Sequence, residues 1–253
     1  MSTGTDPVLE HHDTSSASPE APHRSAPAGG TAPRPLRALL VLVLGYGGMV
    51  LVLVAVGEII VHWGPLGGLR RWDEDVCRWL ADRRFDLADG VTGFMSRAAD
   101  TFGVILCAVV VEVALAIQRR WWALLVVPIG LGLELATFLT VNTIVDRPRP
   151  AVPRLGSEPS TSSFPSGHTA ATVVLWGTVV ILFGTSWPRR ARTVAWVVVI
   201  VFAIGVGTSR VYRGMHHPTD VLLGAVMGAI AVAVTVVALG QTVERGERRE
   251  VPR

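Results

Sequence analysis

The sequence contains no lysine: all 23 of its basic side chains are arginine, so no ammonium side chain is available anywhere in the chain. Any anion held by side-chain charge must therefore meet guanidinium, with its planar donor fork. Cysteine is scarce as well. Cys77 falls in a hydrophilic connection and Cys107 in an apolar run. The two show no metal-ligand spacing and read as small packing residues. Charge is low, at 17% of residues and a net +3. The arginines scatter at the ends of apolar segments and form no basic stripe, which argues against a nucleic-acid partner. No cofactor motif, nucleotide-binding loop or internal repeat is present.

What the chain has is long apolar runs. Half of its 253 residues are hydrophobic, too many for an ordinary soluble domain of this length. Six segments, at roughly 38–62, 101–118, 122–141, 169–187, 193–209 and 218–240, approach the length needed to cross a hydrocarbon core of about 30 Å. They predict an all-α, six-transmembrane-helix bundle. Residues 1–35, rich in Ser, Thr, Pro, Ala and Gly, cannot bury enough apolar surface to offset their ordering entropy and are expected to be a disordered tail. The membrane domain then spans 36–240, and 241–253 is a solvated tail of mixed charge. Between the first two crossings, DEDVCRWLADRRF and DLADGVTGFMSRAAD have helix-like apolar spacing and predict amphipathic helices at the membrane surface.

The short connections fix an orientation. Residues 118–121 and 187–192 hold Arg119, Arg120, Arg189, Arg190 and Arg192 with no acidic residue. The positive-inside rule places them, and both termini, in the cytoplasm. Three polar clusters then fall at the opposite face: DRPRP at 146–150, SSFPSGH at 162–168 and SRVYRGMHHPTD at 209–220. Together they supply histidines, a carboxylate and guanidiniums, and guanidinium suits phosphoryl oxygens. PSGH before a helix offers backbone N–H groups and the positive helix end to an anion. His216 and Asp220 are four apart and share a helix face if the sixth crossing starts there. A carboxylate beside an imidazole orients it and stabilises its charge after attack, and His168 can protonate a leaving alkoxide.

With these residues the chain resembles the type 2 phosphatidic acid phosphatases, the lipid phosphate phosphatases. Their signature reads Lys-x6-Arg-Pro, Pro-Ser-Gly-His and Ser-Arg-x5-His-x3-Asp. Pro165-Ser166-Gly167-His168 and Ser209-Arg210-x5-His216-x3-Asp220 match the last two parts, and Arg149-Pro150 closes the first. The resemblance implies a metal-independent hydrolysis without cofactor, through a phosphohistidine on His216. Asp220 would be its partner and His168 the acid. Arg149, Arg210, Ser166 and the Gly167 backbone would hold the phosphoryl oxygens. Asn142 stands where the family has its lysine; asparagine donates a hydrogen bond but brings no charge. Arg147, in an extra Arg-Pro pair, is the candidate for compensation.

The expected partners are the membrane and a lipid phosphate: a polyprenyl diphosphate, phosphatidic acid or phosphatidylglycerol phosphate. The expected location is the cell membrane, with the site at its extracytoplasmic face. Transfer of the phosphoryl group to a lipid or sugar alcohol, or lipid binding without catalysis, are the alternative readings. His217 reads as a neighbour of the site and Arg213 as an interfacial anchor. Glu58, Glu112 and Glu134 lie inside apolar segments, where carboxyl groups are costly, but nothing in the sequence ties them to the phosphate cluster.

Overall fold

Apart from Met1, the computed structural model describes residues 34–156 and 161–250, with side chains up to Leu239. The tail expected at 1–35 therefore lies almost wholly outside the described residues. Those described form eight α-helices and no strand: α1 Arg34–His62, α2 Gly67–Ala81, α3 Asp86–Ala98, α4 Thr101–Ile117, α5 Val126–Ile144, α6 Gly167–Phe183, α7 Arg189–Tyr212 and α8 Pro218–Glu250. Helix α8 continues past the expected end of the last crossing at 240, so the backbone of the C-terminal segment is helical to Glu250.

Five of these helices are long and apolar enough to cross a membrane alone. The second expected crossing, α4, passes only together with α3, from which it is bent by 56°. The bend has a local cause: the Asp100 side chain caps α4 by accepting from the Gly103 N–H at 2.8 Å, which starts a new helix two residues after α3 ends. The faces of α4 and α7 that meet no other helix carry exposed Ile105, Val109, Val113, Val197, Val201 and Ile204, a surface suited to hydrocarbon. The protein is a multi-pass membrane protein.

Helix α6 lies at the centre, with α5, α7 and α8 packed round it. Its approach to α8 depends on two glycines one turn apart. A β-carbon on Gly224 would come within 2.4 Å of the Ser166 carbonyl oxygen, and one on Gly228 within 2.6 Å of that of Ala170. Small residues of this kind let backbones touch, and here they bring the start of α6 beside the start of α8. Gly214, at φ +70°, makes the turn out of α7 that no β-branched residue would tolerate, and Pro218 opens α8 at a position where its missing N–H costs nothing.

The two amphipathic helices form as expected, as α2 and α3, but they do more than lie on a surface. Asp73 and Cys77 of α2 and Ser96 of α3 are buried. Helix α2 packs on α7 and α8, and α3 on α7, so the pair covers the end of the bundle where the polar clusters sit.

Candidate active site

The three polar clusters meet at one end of the bundle, formed by the last turn of α5, the first of α6, the last of α7 and the first of α8. Backbone hydrogen bonds tie them together. Ser163 N–H donates to the Arg147 carbonyl, and Ser166 N–H to the Asp220 carbonyl, each at 3.0 Å. Met215 N–H donates to the Arg210 carbonyl at 2.9 Å, which folds the 213–217 turn back over α7.

His216 is buried, and its Nδ1 lies 2.6 Å from the Ser163 carbonyl oxygen. A carbonyl can only accept, so Nδ1 carries the hydrogen and the Nε2 lone pair is free. Asp220 Oδ2 is farther away, 3.9 Å from the same nitrogen. Burial, and then the charges of Arg210 and Arg149, hold the His216 imidazole well below its ordinary pKa of 6.5. At neutral pH it is uncharged, the form a nucleophile requires.

Asp220 is engaged mainly elsewhere. Its Oδ1 accepts from Arg147 Nη1, and its Oδ2 accepts from the His217 N–H at 2.8 Å and lies 3.2 Å from His217 Nδ1. Arg147 is buried and bridges two carboxylates, with Nη2 donating to Asp73 at 2.6 Å. Thr219 closes the cluster, its N–H donating to Asp73 Oδ1 at 3.1 Å and its hydroxyl accepting from Arg147 Nη1 at 2.7 Å. Glu74 Oε2 lies 3.3 Å from His217 Nε2. Asp73 and Glu74 thus lock α2 onto the start of α8, a role invisible in a segment that reads only as amphipathic.

A cavity of about 320 Å³ opens beside this network. Arg149, Gly167, His168, Arg210 and His216 form its polar end, and Val104, Ile105, Leu131, Leu135 and Phe138 line the slot that continues between α4 and α5. No side chain caps the first turn of α6, leaving its positive end to the cavity. Arg210 donates from Nη1 to Ser96 Oγ at 2.6 Å, while its buried Nε has no partner. Arg149 is steadied by carbonyls, donating to Thr161 and Ser162 at 3.1 and 3.0 Å and also to Met215. Neither guanidinium has a carboxylate partner among these bonds, so both charges remain for an anion. Burial, followed by the nearby Arg154, pushes the Arg149 pKa down from its ordinary value.

Three residues expected at the phosphate are placed elsewhere: Arg147, Asn142 and Ser166 do not line this cavity. Arg147 is consumed by Asp73 and Asp220, which it bridges. Asn142 uses both amide hydrogens on the loop, donating to the Ser162 and Phe164 carbonyls at 2.9 and 3.0 Å. Ser166 is fully buried, with Oγ 3.0 Å from Thr169 Oγ1. Glu134, set aside in the sequence, does line the cavity. Among the described residues no group of three or more His, Cys, Asp or Glu side chains could hold a metal ion.

Comparison with known proteins agrees with this architecture. The PAP2 superfamily profile matches residues 121–243. A decaprenylphosphoryl-5-phosphoribose phosphatase of Mycobacterium tuberculosis is 31% identical over 150 residues, covering 58% of this chain and 77% of that protein. Phosphatidylglycerophosphatase B of Bacillus subtilis is 27% identical over 146 residues, covering 57% and 71%. In fold, the chain is similar to the crystal structure of a transmembrane PAP2 type phosphatidylglycerolphosphate phosphatase from Bacillus subtilis. The TM-score is 0.64 at 19% identity, over 87% of this chain and 98% of that one.

Proposed function

The chain belongs to the PAP2 superfamily and is a membrane phosphatase, and from that premise we propose that it hydrolyses a lipid phosphate ester through a phosphohistidine on His216. The observation that carries the proposal is the neutral, Nδ1-protonated imidazole of His216 facing two uncompensated guanidiniums across one cavity.

The phosphoryl group sits at the polar end of the cavity, between Arg149, Arg210 and the first N–H groups of α6, and the lipid tail follows the apolar slot. His216 Nε2 attacks phosphorus. The bond to the alkoxide oxygen breaks as His168, acting as general acid, gives a proton to that oxygen. The phosphoimidazolium is stabilised by the Ser163 carbonyl and by the Asp220 charge 3.9 Å away. Water then attacks phosphorus as neutral His168 takes its proton, the P–N bond breaks, and phosphate leaves. Preorganised positive charge around the transition state supplies most of the catalysis. No metal takes part in these steps. The arginine-rich connections support a site at the extracytoplasmic face of the cell membrane.

A panel of lipid phosphates, assayed in detergent with chelator present, tests this reading beside His216→Ala. Phosphate release by the parent protein and none by the variant is expected. Activity that survives His216→Ala, or that the chelator abolishes, contradicts it. Adding an acceptor alcohol separates hydrolysis from transfer, since only transfer yields a new phosphate ester.

A further inference from the structure

Glu134 lies in the middle of α5 and is only 4% exposed, yet it faces the same cavity as His168 and His216. Among the described residues no hydrogen bond or ion pair holds its carboxyl group. The carboxyl group therefore meets the cavity rather than a protein partner, and a carboxyl in a membrane segment is costly unless something satisfies it. Its immediate neighbours along the slot, Leu131, Leu135 and Phe138, are apolar and offer no compensation.

Its depth is set by the helix. The Phe138 ring presses on Gly167 at the first turn of α6, within 3.2 Å of where a β-carbon would stand. Glu134 is one turn farther from the site end of α5, about 6 Å at 1.5 Å per residue. On the opposite wall Ala171, one turn into α6 from Gly167, lines the cavity at a matching level. A lipid whose phosphate sits at the start of α6 therefore brings the first few atoms of its alcohol past Glu134.

We infer that Glu134 is a specificity-determining residue that hydrogen-bonds an oxygen carried by the substrate's alcohol close to the esterified carbon. This rests on the reading of the site given above. The class it selects is the phosphate monoester of a glycerolipid or other polyol, whose hydroxyl or ester groups lie at that depth. The carboxyl group accepts from a hydroxyl and, in its acid form, donates to an ester carbonyl. A plain polyprenyl phosphate presents only hydrocarbon there and leaves Glu134 unsatisfied. A site that binds a substrate oxygen discriminates strongly against an analogue lacking it.

The test compares kcat/KM for dioleoyl phosphatidic acid and for undecaprenyl phosphate in the same detergent micelles, in the parent protein, Glu134→Gln and Glu134→Leu. The parent should favour phosphatidic acid, and Glu134→Leu should lower that preference by ~10-fold or more, the worth of one buried hydrogen bond. The isosteric Glu134→Gln should keep part of it, and it serves if the leucine variant does not fold. An unchanged substrate ratio in both variants, or a parent preference for the prenyl phosphate, overturns the inference. If the parent hydrolyses neither lipid, the proposed function itself fails, and the two outcomes are thereby distinct.

Discussion

His216 Nδ1 is bound by the Ser163 carbonyl oxygen at 2.6 Å, while the Asp220 carboxylate, on the next turn, stands 3.9 Å from it. The imidazole is thus oriented by backbone, and Asp220 acts on it through charge. In a triad where the carboxylate alone fixes the tautomer, its amide replacement costs about 10⁴ in kcat. Asp220→Asn should cost less here, ~10²-fold, because the Ser163 carbonyl still selects the tautomer. Single-turnover rates on folded variant protein measure this; a loss as large as 10⁴ would restore Asp220 as the orienting group.

The arginines divide by partner. Removing one member of a buried ion pair typically costs about 3–5 kcal/mol, so Arg147→Ala and Asp73→Asn should lower stability by that order, read as thermal unfolding in detergent. Arg210→Ala should instead leave the fold largely intact and reduce kcat by ~10²-fold or more, as loss of a transition-state donor does. The reverse pattern would move the phosphate cradle to Arg147.

Asn142 spans two carbonyls of the 162–164 loop. Asn142→Ala leaves the Phe164 carbonyl unsatisfied, while Ser162 keeps its bond from Arg149, and should destabilise the protein by about 1–3 kcal/mol. Asn142→Asp, which sets a carboxylate against two carbonyl oxygens, should be worse. If Asn142→Ala instead keeps the unfolding temperature and raises KM, the amide binds phosphate after all.

Protonation of His216 should be visible in the pH profile. Its folded-state pKa lies well below 6.5, so the unfolded chain takes up a proton near pH 6.5 that the native protein refuses. Above that pH the group contributes nothing to stability, and as pH falls through 6.5 stability declines. The nucleophile meanwhile stays uncharged, so the His216 contribution to the acid limb of kcat/KM should fall below pH 6.5. The measurement is the difference in denaturation free energy between parent and His216→Ala across pH 5–8; a difference that is flat with pH contradicts the shift.

The crossings were legible because hydrocarbon imposes apolar runs of fixed length. The motif residues His168, Arg149, Arg210 and His216 were legible through the family resemblance and because their clusters stand at segment ends on one side of the bundle. Partner choice was not. Arg147 looked like a spare phosphate ligand, since nothing in the sequence says that Asp73, 74 positions earlier, reaches it. Asn142 looked like an uncharged stand-in for a phosphate-binding lysine because its loop carbonyls are backbone groups without sequence identity. Glu134 could not be tied to the phosphate cluster because a sequence does not show which side of α5 faces a void.

The most direct test of the account is to trap the intermediate. Parent protein and His216→Ala are mixed with a ³²P-labelled lipid phosphate, quenched within one turnover and digested. Base-stable, acid-labile label on the peptide containing His216 in the parent, and none in the variant, is predicted. Label on another residue, or turnover by His216→Ala without label, contradicts it.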